Sequence, residues 1–428
     1  MRVYRPRAAA CAAAASVALA LTPAAARAQW ETLQGVYDQI EVRATVGFEG
    51  RAFPESPAFA GQFEHVQPSV FAELEITWES EDRDTQLQFV PFFRLDGQDE
   101  ERTHFDVREA YLRRIWDDWE LLIGANRVFW GVTESRHLVN IVNQIDAVED
   151  IDEEDFLGQP MVNLARQTDV GRVDVFFFPV FRERTFPGID GRLRGPVAVD
   201  TERARFASGL EEFRPSFALR YSHFIGDVDI GAHVFHGTSR EPDLLVAADG
   251  SLVPRYPVIT QGGLDLQLTR GPYLWKFEGL VRAGQGDLFA AAVGGLEYTF
   301  FQVFDSDADL GLLVEGLYDG RDETLPLSAA ERAEGFLSAA PFGTVLEQDV
   351  FLGTRLALND VQDTSFLAGL FLDVEDGPAS FRIEAERRLG DSWRAELEAT
   401  VFLETDDRNP SSVFADDSFV TLRLSRFF

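Results

Sequence analysis

Residues 418–428 read Ser-Phe-Val-Thr-Leu-Arg-Leu-Ser-Arg-Phe-Phe. In an extended chain, Val420, Leu422, Leu424 and Phe428 fall on one side, and Thr421, Arg423 and Ser425 on the other. The stretch before it repeats the pattern. Trp393, Ala395, Leu397, Ala399, Val401 and Leu403 alternate with Arg394, Glu396, Glu398, Thr400 and Glu404. One side suits hydrocarbon and the other suits water, as a strand in a transmembrane barrel with a polar interior requires.

Working outward, the same period recurs in segments of about ten to thirteen residues, the length a tilted strand needs to cross a bilayer. Expected strands are 41–53, 66–79, 84–96, 104–115, 119–130, 160–168, 172–181, 213–225 and 228–238, then 259–269, 273–283, 288–304, 308–320, 349–359, 365–375, 380–389, 392–404 and 418–428. In the first, Val42, Ala44, Val46 and Phe48 share a face; in the third, Pro91 removes a ladder bond and predicts a bulge. The fourth and fifth are less clean, because Arg113, Arg114 and Arg127 do not all fit one side. The count is about eighteen, and even counts are the rule for single-chain bacterial barrels.

Connections after even strands are all short and turn-like, such as 116–118, 226–227 and 390–391, while every long one follows an odd strand. Short turns at one end and longer loops at the other are the barrel pattern. Trp78, Trp116, Trp119, Trp275 and Trp393 lie at or near the short-turn ends, as a periplasmic aromatic girdle requires; Trp30 and Trp130 do not. The expected fold is an all-β, antiparallel, up-and-down transmembrane barrel.

The leader fits this destination. Arg2, Arg5 and Arg7 precede an Ala/Val/Leu run, and Ala26-Arg27-Ala28 is a small-x-small cleavage site. Residues 1–28 read as a signal peptide, 29–40 as a periplasmic segment and 41–428 as the barrel. Cys11, the only cysteine, lies in the leader, which excludes a disulfide framework and thiolate metal sites in the remainder. The chain carries −33, and the leader holds four arginines and no acid, leaving the remainder at about −37; nucleic acid is excluded as a partner. Phosphate-loop, dinucleotide and nucleophile-elbow motifs are lacking, so no enzyme activity and no cofactor are expected.

Alternation places Arg43, Arg94, Arg108, Lys276, Glu278, Arg282, Glu315, Arg355, Arg382, Glu384, Glu386, Arg394, Glu396, Glu398 and Arg423 toward the lumen. Such charges either form a salt-bridged ladder or set a selectivity track. In the segment after strand five, Leu138, Ile141, Val142, Ile145 and Val148 recur near helical spacing. Asp146, Glu149, Asp150, Asp152, Glu153, Glu154 and Asp155 then form a dense acidic run. The apolar spacing favours a loop folded into the lumen, its carboxylates facing wall arginines such as Arg108 and Arg113. The other placement is an exposed loop bridged to lipopolysaccharide by divalent cations. The run lacks the glycine and terminal glutamate of an EF-hand, and no dedicated metal site is expected. His233 and His236 fall on opposite faces, which also argues against a metal.

With its leader, loop alternation and terminal Phe428, the chain resembles outer-membrane porins of Gram-negative bacteria over its whole mature length. The run Leu122-Ile-Gly-Ala-Asn-Arg-Val-Phe-Trp-Gly131 is similar to the strand-to-loop segment of some of these barrels. Leu422, Leu424 and Phe428 resemble the assembly signal; Arg426 departs from it. The resemblance implies passive passage of small hydrophilic solutes. It also implies outer-membrane lipid, lipopolysaccharide, periplasmic chaperones and the barrel-insertion machinery as partners, and trimers as a common state. Other readings are an exporter of an acidic polysaccharide, a plugged structural or adhesive barrel, and an outer-membrane barrel enzyme.

Overall fold

A computed structural model describes residues 39–322, 324–342, 348–374, 377–403 and 410–428. The leader and most of the segment before residue 41 lie outside the described residues. The strands in chain order are β1 (Ile40–Ala52), β2 (Val66–Glu79), β3 (Thr85–Asp96), β4 (His104–Trp116), β5 (Trp119–Asn126), β6 (Gln159–Thr168), β7 (Gly171–Phe178), β8 (Arg205–Phe206), β9 (Ser216–Ile225), β10 (Val228–Thr238) and β11 (Asp243–Ala247). They continue with β12 (Leu252–Tyr256), β13 (Val258–Arg270), β14 (Tyr273–Ala283), β15 (Phe289–Phe300), β16 (Asp309–Asp319), β17 (Phe336–Pro341), β18 (Gln348–Ala357), β19 (Ser365–Asp373), β20 (Gly377–Leu389), β21 (Trp393–Phe402) and β22 (Phe419–Phe427).

Eighteen of these form one antiparallel sheet, and β1 pairs with both β2 and β22, so the sheet closes on itself. Closure leaves no strand edge in hydrocarbon. No described helix is long and apolar enough to cross a membrane. The sidedness is inverted relative to a water-soluble protein. Phe48, Phe89, Leu312 and Leu422 are exposed on the outside, while Glu49, Arg94, Glu278 and Glu315 are fully buried within. The two-residue turns at 117–118, 226–227 and 271–272 each begin with a left-handed residue, Asp117, Gly226 or Gly271. Such turns match the twist of the flanking strands. The β3–β4 ladder slips between Val90 and Pro91, and Arg108 is the extra residue opposite the slip. That slip, together with Arg114 standing at the turn edge beside Asp84 and Thr85, explains the mixed faces of β4.

Arg426 has a place outside the wall. Its guanidinium stacks on Trp393 at 5.4 Å and on Phe428 at 4.6 Å. A cation there lies among girdle aromatics, where its long stem can snorkel. Leu422 and Leu424 face outward beside it.

Three expectations need correction. β5 ends at Asn126 and β7 at Phe178, short of 130 and 181. Trp130 consequently turns into the bore and packs on Phe176 and His233. The segment after β5 contains no helix. The stretches 182–212 and 325–347, expected as plain loops, contribute β8 and β17 to a second, four-stranded sheet with β11 and β12. That sheet lies at the long-loop end and has its own small core of Leu245, Val253, Leu325, Phe336 and Ala339.

Candidate functional site

The bore is crossed by residues 127–158, which join β5 to β6. One side of this loop is held by apolar burial. Val139, Ile141 and Val142 pack on Met161, Phe176, Phe235 and Ile259 of the inner wall. Leu138 packs on Val293, Leu313 and Phe351. Phe351 can lie flat there because its ring covers Gly353 and Gly369, where a β-carbon would overlap it.

Two wall carboxylates then take the loop's backbone. Glu278 accepts from the N–H groups of Val132 (2.6 Å), Thr133 (3.0 Å) and Val139 (3.1 Å), and from the Thr133 hydroxyl at 2.7 Å. Glu315 accepts from Glu134 N–H at 3.0 Å, Ser135 N–H at 2.8 Å and the Ser135 hydroxyl at 2.6 Å. These charge-assisted bonds satisfy buried donors that a helix would otherwise have satisfied internally. Glu278 and Glu315 therefore anchor the loop.

The acidic run meets the opposite wall. Arg94 grips Glu149 with two bonds, Nε–Oε1 at 2.8 Å and Nη2–Oε2 at 2.6 Å. Arg51 donates to Asp150 at 2.9 Å and Arg382 to Asp152 at 2.8 Å. Arg108 stands 3.8 Å from Glu149 and 4.0 Å from Asp155. Arg113, the other expected partner, lies nearer the short turns, opposite Gln86 and Leu122 in register. Arg102 donates to Glu49 at 2.6 Å, to Asp96 at 2.9 Å and to the Val148 carbonyl at 2.8 Å. Glu49 also meets Arg94 at 3.3 Å and Arg423 at 2.8 Å. Burial alone would raise the Glu149 carboxyl; Arg94 and Arg102 outweigh it and hold it below the usual range. Arg102 sits in the 97–103 loop, where strand alternation cannot mark it.

A second layer covers the first. Thr185 donates to Asp146 at 2.8 Å, Arg184 to Glu153 at 2.6 Å and Arg182 to the Gly158 carbonyl at 2.9 Å. Arg192 ties the same segment to Asp417 and to the Glu64 and Asp416 carbonyls.

Between the loop and the β18–β21 wall remains a partly open chamber of about 440 Å³. Glu134, Asp152, Arg382 and Glu384 at the loop tip are part of its lining. There Arg382 meets Asp152, Glu384 at 2.8 Å and Glu398 at 3.3 Å. Glu134 meets Arg355 at 2.7 Å and Lys276 at 3.5 Å. Arg282 is drawn away, to Glu241 and Gln261. Arg394 with Glu386, Glu396 and Arg43 lie further toward the short turns, and Arg43 is 64% exposed beside Glu41. His104, Asp146 and Glu149 bring ligand-type atoms within 4.8 Å of one another. Arg94 holds both Glu149 oxygens and Thr185 donates to Asp146 in this grouping.

His137, in the loop and outside the spanning strands, lies 3.8 Å from Glu278 and 3.9 Å from Glu154. Burial disfavours its charge, but the two carboxylates prevail and raise it to about 9. A value raised above the usual one means the imidazolium's contribution is complete below about pH 6.5. It is lost as pH rises through about 9. Loop docking should therefore loosen between about pH 8 and 10, seen as a rise in limited proteolysis within residues 127–158. His137→Gln should flatten that rise; an equal rise in both proteins would exclude His137 as its source.

No family model and no curated protein matches the chain. Solved structures do. Wzi, an outer-membrane protein of Escherichia coli involved in group 1 capsule assembly and described as a carbohydrate-binding β-barrel, superposes with a TM-score of 0.50 at 10% identity, over 94% of this chain and 87% of that one. A BenF-like porin from Pseudomonas fluorescens Pf-5 gives 0.50 at 9% identity, over 91% and 97%. At such identities the likeness is one of fold: a closed barrel of the outer-membrane, porin-like kind.

Proposed function

We propose that the protein is an outer-membrane channel for passive diffusion of small polar or charged solutes. The supporting observation is the partly open chamber beside the loop tip. A loop fastened to both walls leaves one chamber open, and charges of both signs line it. Fixed charges at a narrow point sieve solutes and set electrostatic barriers without covalent chemistry. In this reading the acidic run and Arg382, Glu384, Glu398, Arg355 and Lys276 act as the filter. Glu278 and Glu315 hold the loop in place. Residues 1–28 act as the removed leader, the insertion machinery and chaperones deliver the chain, and lipopolysaccharide surrounds its long-loop end.

A second reading is a barrel that binds carbohydrate and does not conduct. The two loop layers across the bore favour it, and the Wzi likeness makes it concrete. Planar-bilayer recording of the purified protein separates the two. Ohmic steps, with uptake of small solutes by reconstituted liposomes, are expected. Silence in both assays would leave the binding reading.

A further inference from the structure

The chamber's wall is built in rows. Phe351, Phe371, Ser380 and Phe402 lie side by side in register across β18–β21. Phe414 adds a second ring against Phe402, centroids 5.4 Å apart. Phe371, Phe402 and Phe414 are only partly buried and line the space. One row below, Arg382 pairs in register with Thr400. Thr400 is 6% exposed, lines the same chamber, and its hydroxyl has no hydrogen-bond partner. Nearest this row the polar lining is the two ion pairs Arg51–Asp150 and Arg382–Asp152, and charges of both signs, among them Arg102, Arg184, Glu134 and Glu241, line the rest of the chamber.

We propose that this chamber binds a neutral saccharide. The choice follows from the charges. An anion would face Asp150 and Asp152, and a cation would face Arg51 and Arg382; each pair is already closed. A hydroxyl both donates and accepts, so a polyol can use both members of each pair and the orphan Thr400 hydroxyl. A sugar ring also presents polarised C–H groups, which suit the negative faces of phenyl rings. The volume lies within the roughly 300–1,000 Å³ of small-ligand pockets. The proposal rests on the channel reading only in needing the chamber to be reached from outside.

The test is calorimetric titration of the purified full-length protein in detergent with maltotriose, cellotriose and chitotriose, and with benzoate and spermidine as charged probes. At least one trisaccharide should bind, more tightly than either charged probe. Phe414→Ala should weaken it about ten-fold, an amount in line with an aromatic contact. Phe414 lies outside the strands, so this variant leaves the ladder intact, and an unchanged melting temperature will verify that. Thr400→Val, close to isosteric, should weaken binding by a smaller factor. No heat with any trisaccharide, preference for benzoate or spermidine, or unchanged affinity in Phe414→Ala would each overturn the proposal. Conductance without sugar binding removes this site alone; sugar binding in a silent barrel removes the channel reading alone.

Discussion

A Glu149→Gln protein will conduct several-fold more current per channel than the parent and will unfold at a lower temperature. Glu149 is where the loop's far end is fastened. Both its oxygens are held by Arg94, Arg108 stands beside it, and Arg102 donates to its backbone carbonyl at 3.1 Å. Neutralising it leaves buried guanidinium groups short of charge, with Glu49 shared among Arg94, Arg102 and Arg423 and Asp96 paired with Arg102. Breaking one member of such a buried pair costs about 3–5 kcal/mol. The barrel's own ladders do not depend on Glu149, so the loss falls on loop docking, and the released loop widens the bore. Glu41→Gln is the control: its carboxylate is 63% exposed and its partner Arg43 is 64% exposed. Replacing Arg94 and Glu149 together with Met should recover most of the stability, because a well-packed apolar pair removes the orphaned charge. Single-channel recording and thermal unfolding in detergent give both numbers. Parental conductance with a parental melting point would refute the fastening role.

The strands were legible because a bilayer allows few alternatives. Hydrocarbon outside and water inside force a period of two, and residues such as Val420–Leu424 and Trp393–Val401 display it without interruption. What misled was the loop. Leu138, Ile141, Val142, Ile145 and Val148 have helical spacing, yet Leu138 packs on Val293 and Phe351 while Ile141 and Val142 pack among Phe176 and Phe235. Their backbone is not helical: Val139 N–H goes to Glu278, Ile145 N–H to the Gln144 side chain and Val148 N–H to the Thr185 hydroxyl, in place of carbonyls four residues back. A carboxylate on a strand more than a hundred residues away leaves no local trace. The second sheet was hidden for a related reason. Its strands are two to six residues long and come from three separate connections, so no single stretch carries a pattern. Arg102, Arg184 and Arg192 were missed because they stand in loops, where alternation says nothing about facing. Charge density was the better guide: the run Asp146–Asp155 did point to arginines, and Arg108 is among them.

Arg382→Gln will make the channel strongly cation-selective. Arg382 is the base shared by Asp152, Glu384 and Glu398, while Asp150 beside them is held by Arg51. Removing it leaves Asp152, Glu384 and Glu398 without a cation of their own at the loop tip. A unit charge about 4 Å from a passing ion is worth about 1 kcal/mol even in bulk water. That corresponds to about five-fold more cations and about five-fold fewer anions at the loop tip. The reversal potential in a potassium chloride gradient should move toward that of potassium. The shift should be larger near 0.1 M salt than near 1 M, since the screening length falls from about 10 Å to about 3 Å. Arg394→Gln supplies the comparison. Arg394 is 41% exposed, pairs loosely with Glu386 at 3.8 Å, and lies toward the short turns. If the filter is at the loop tip, its loss moves the reversal potential little. Equal shifts for the two variants, or none for Arg382→Gln, would mean that ion choice is made elsewhere along the bore.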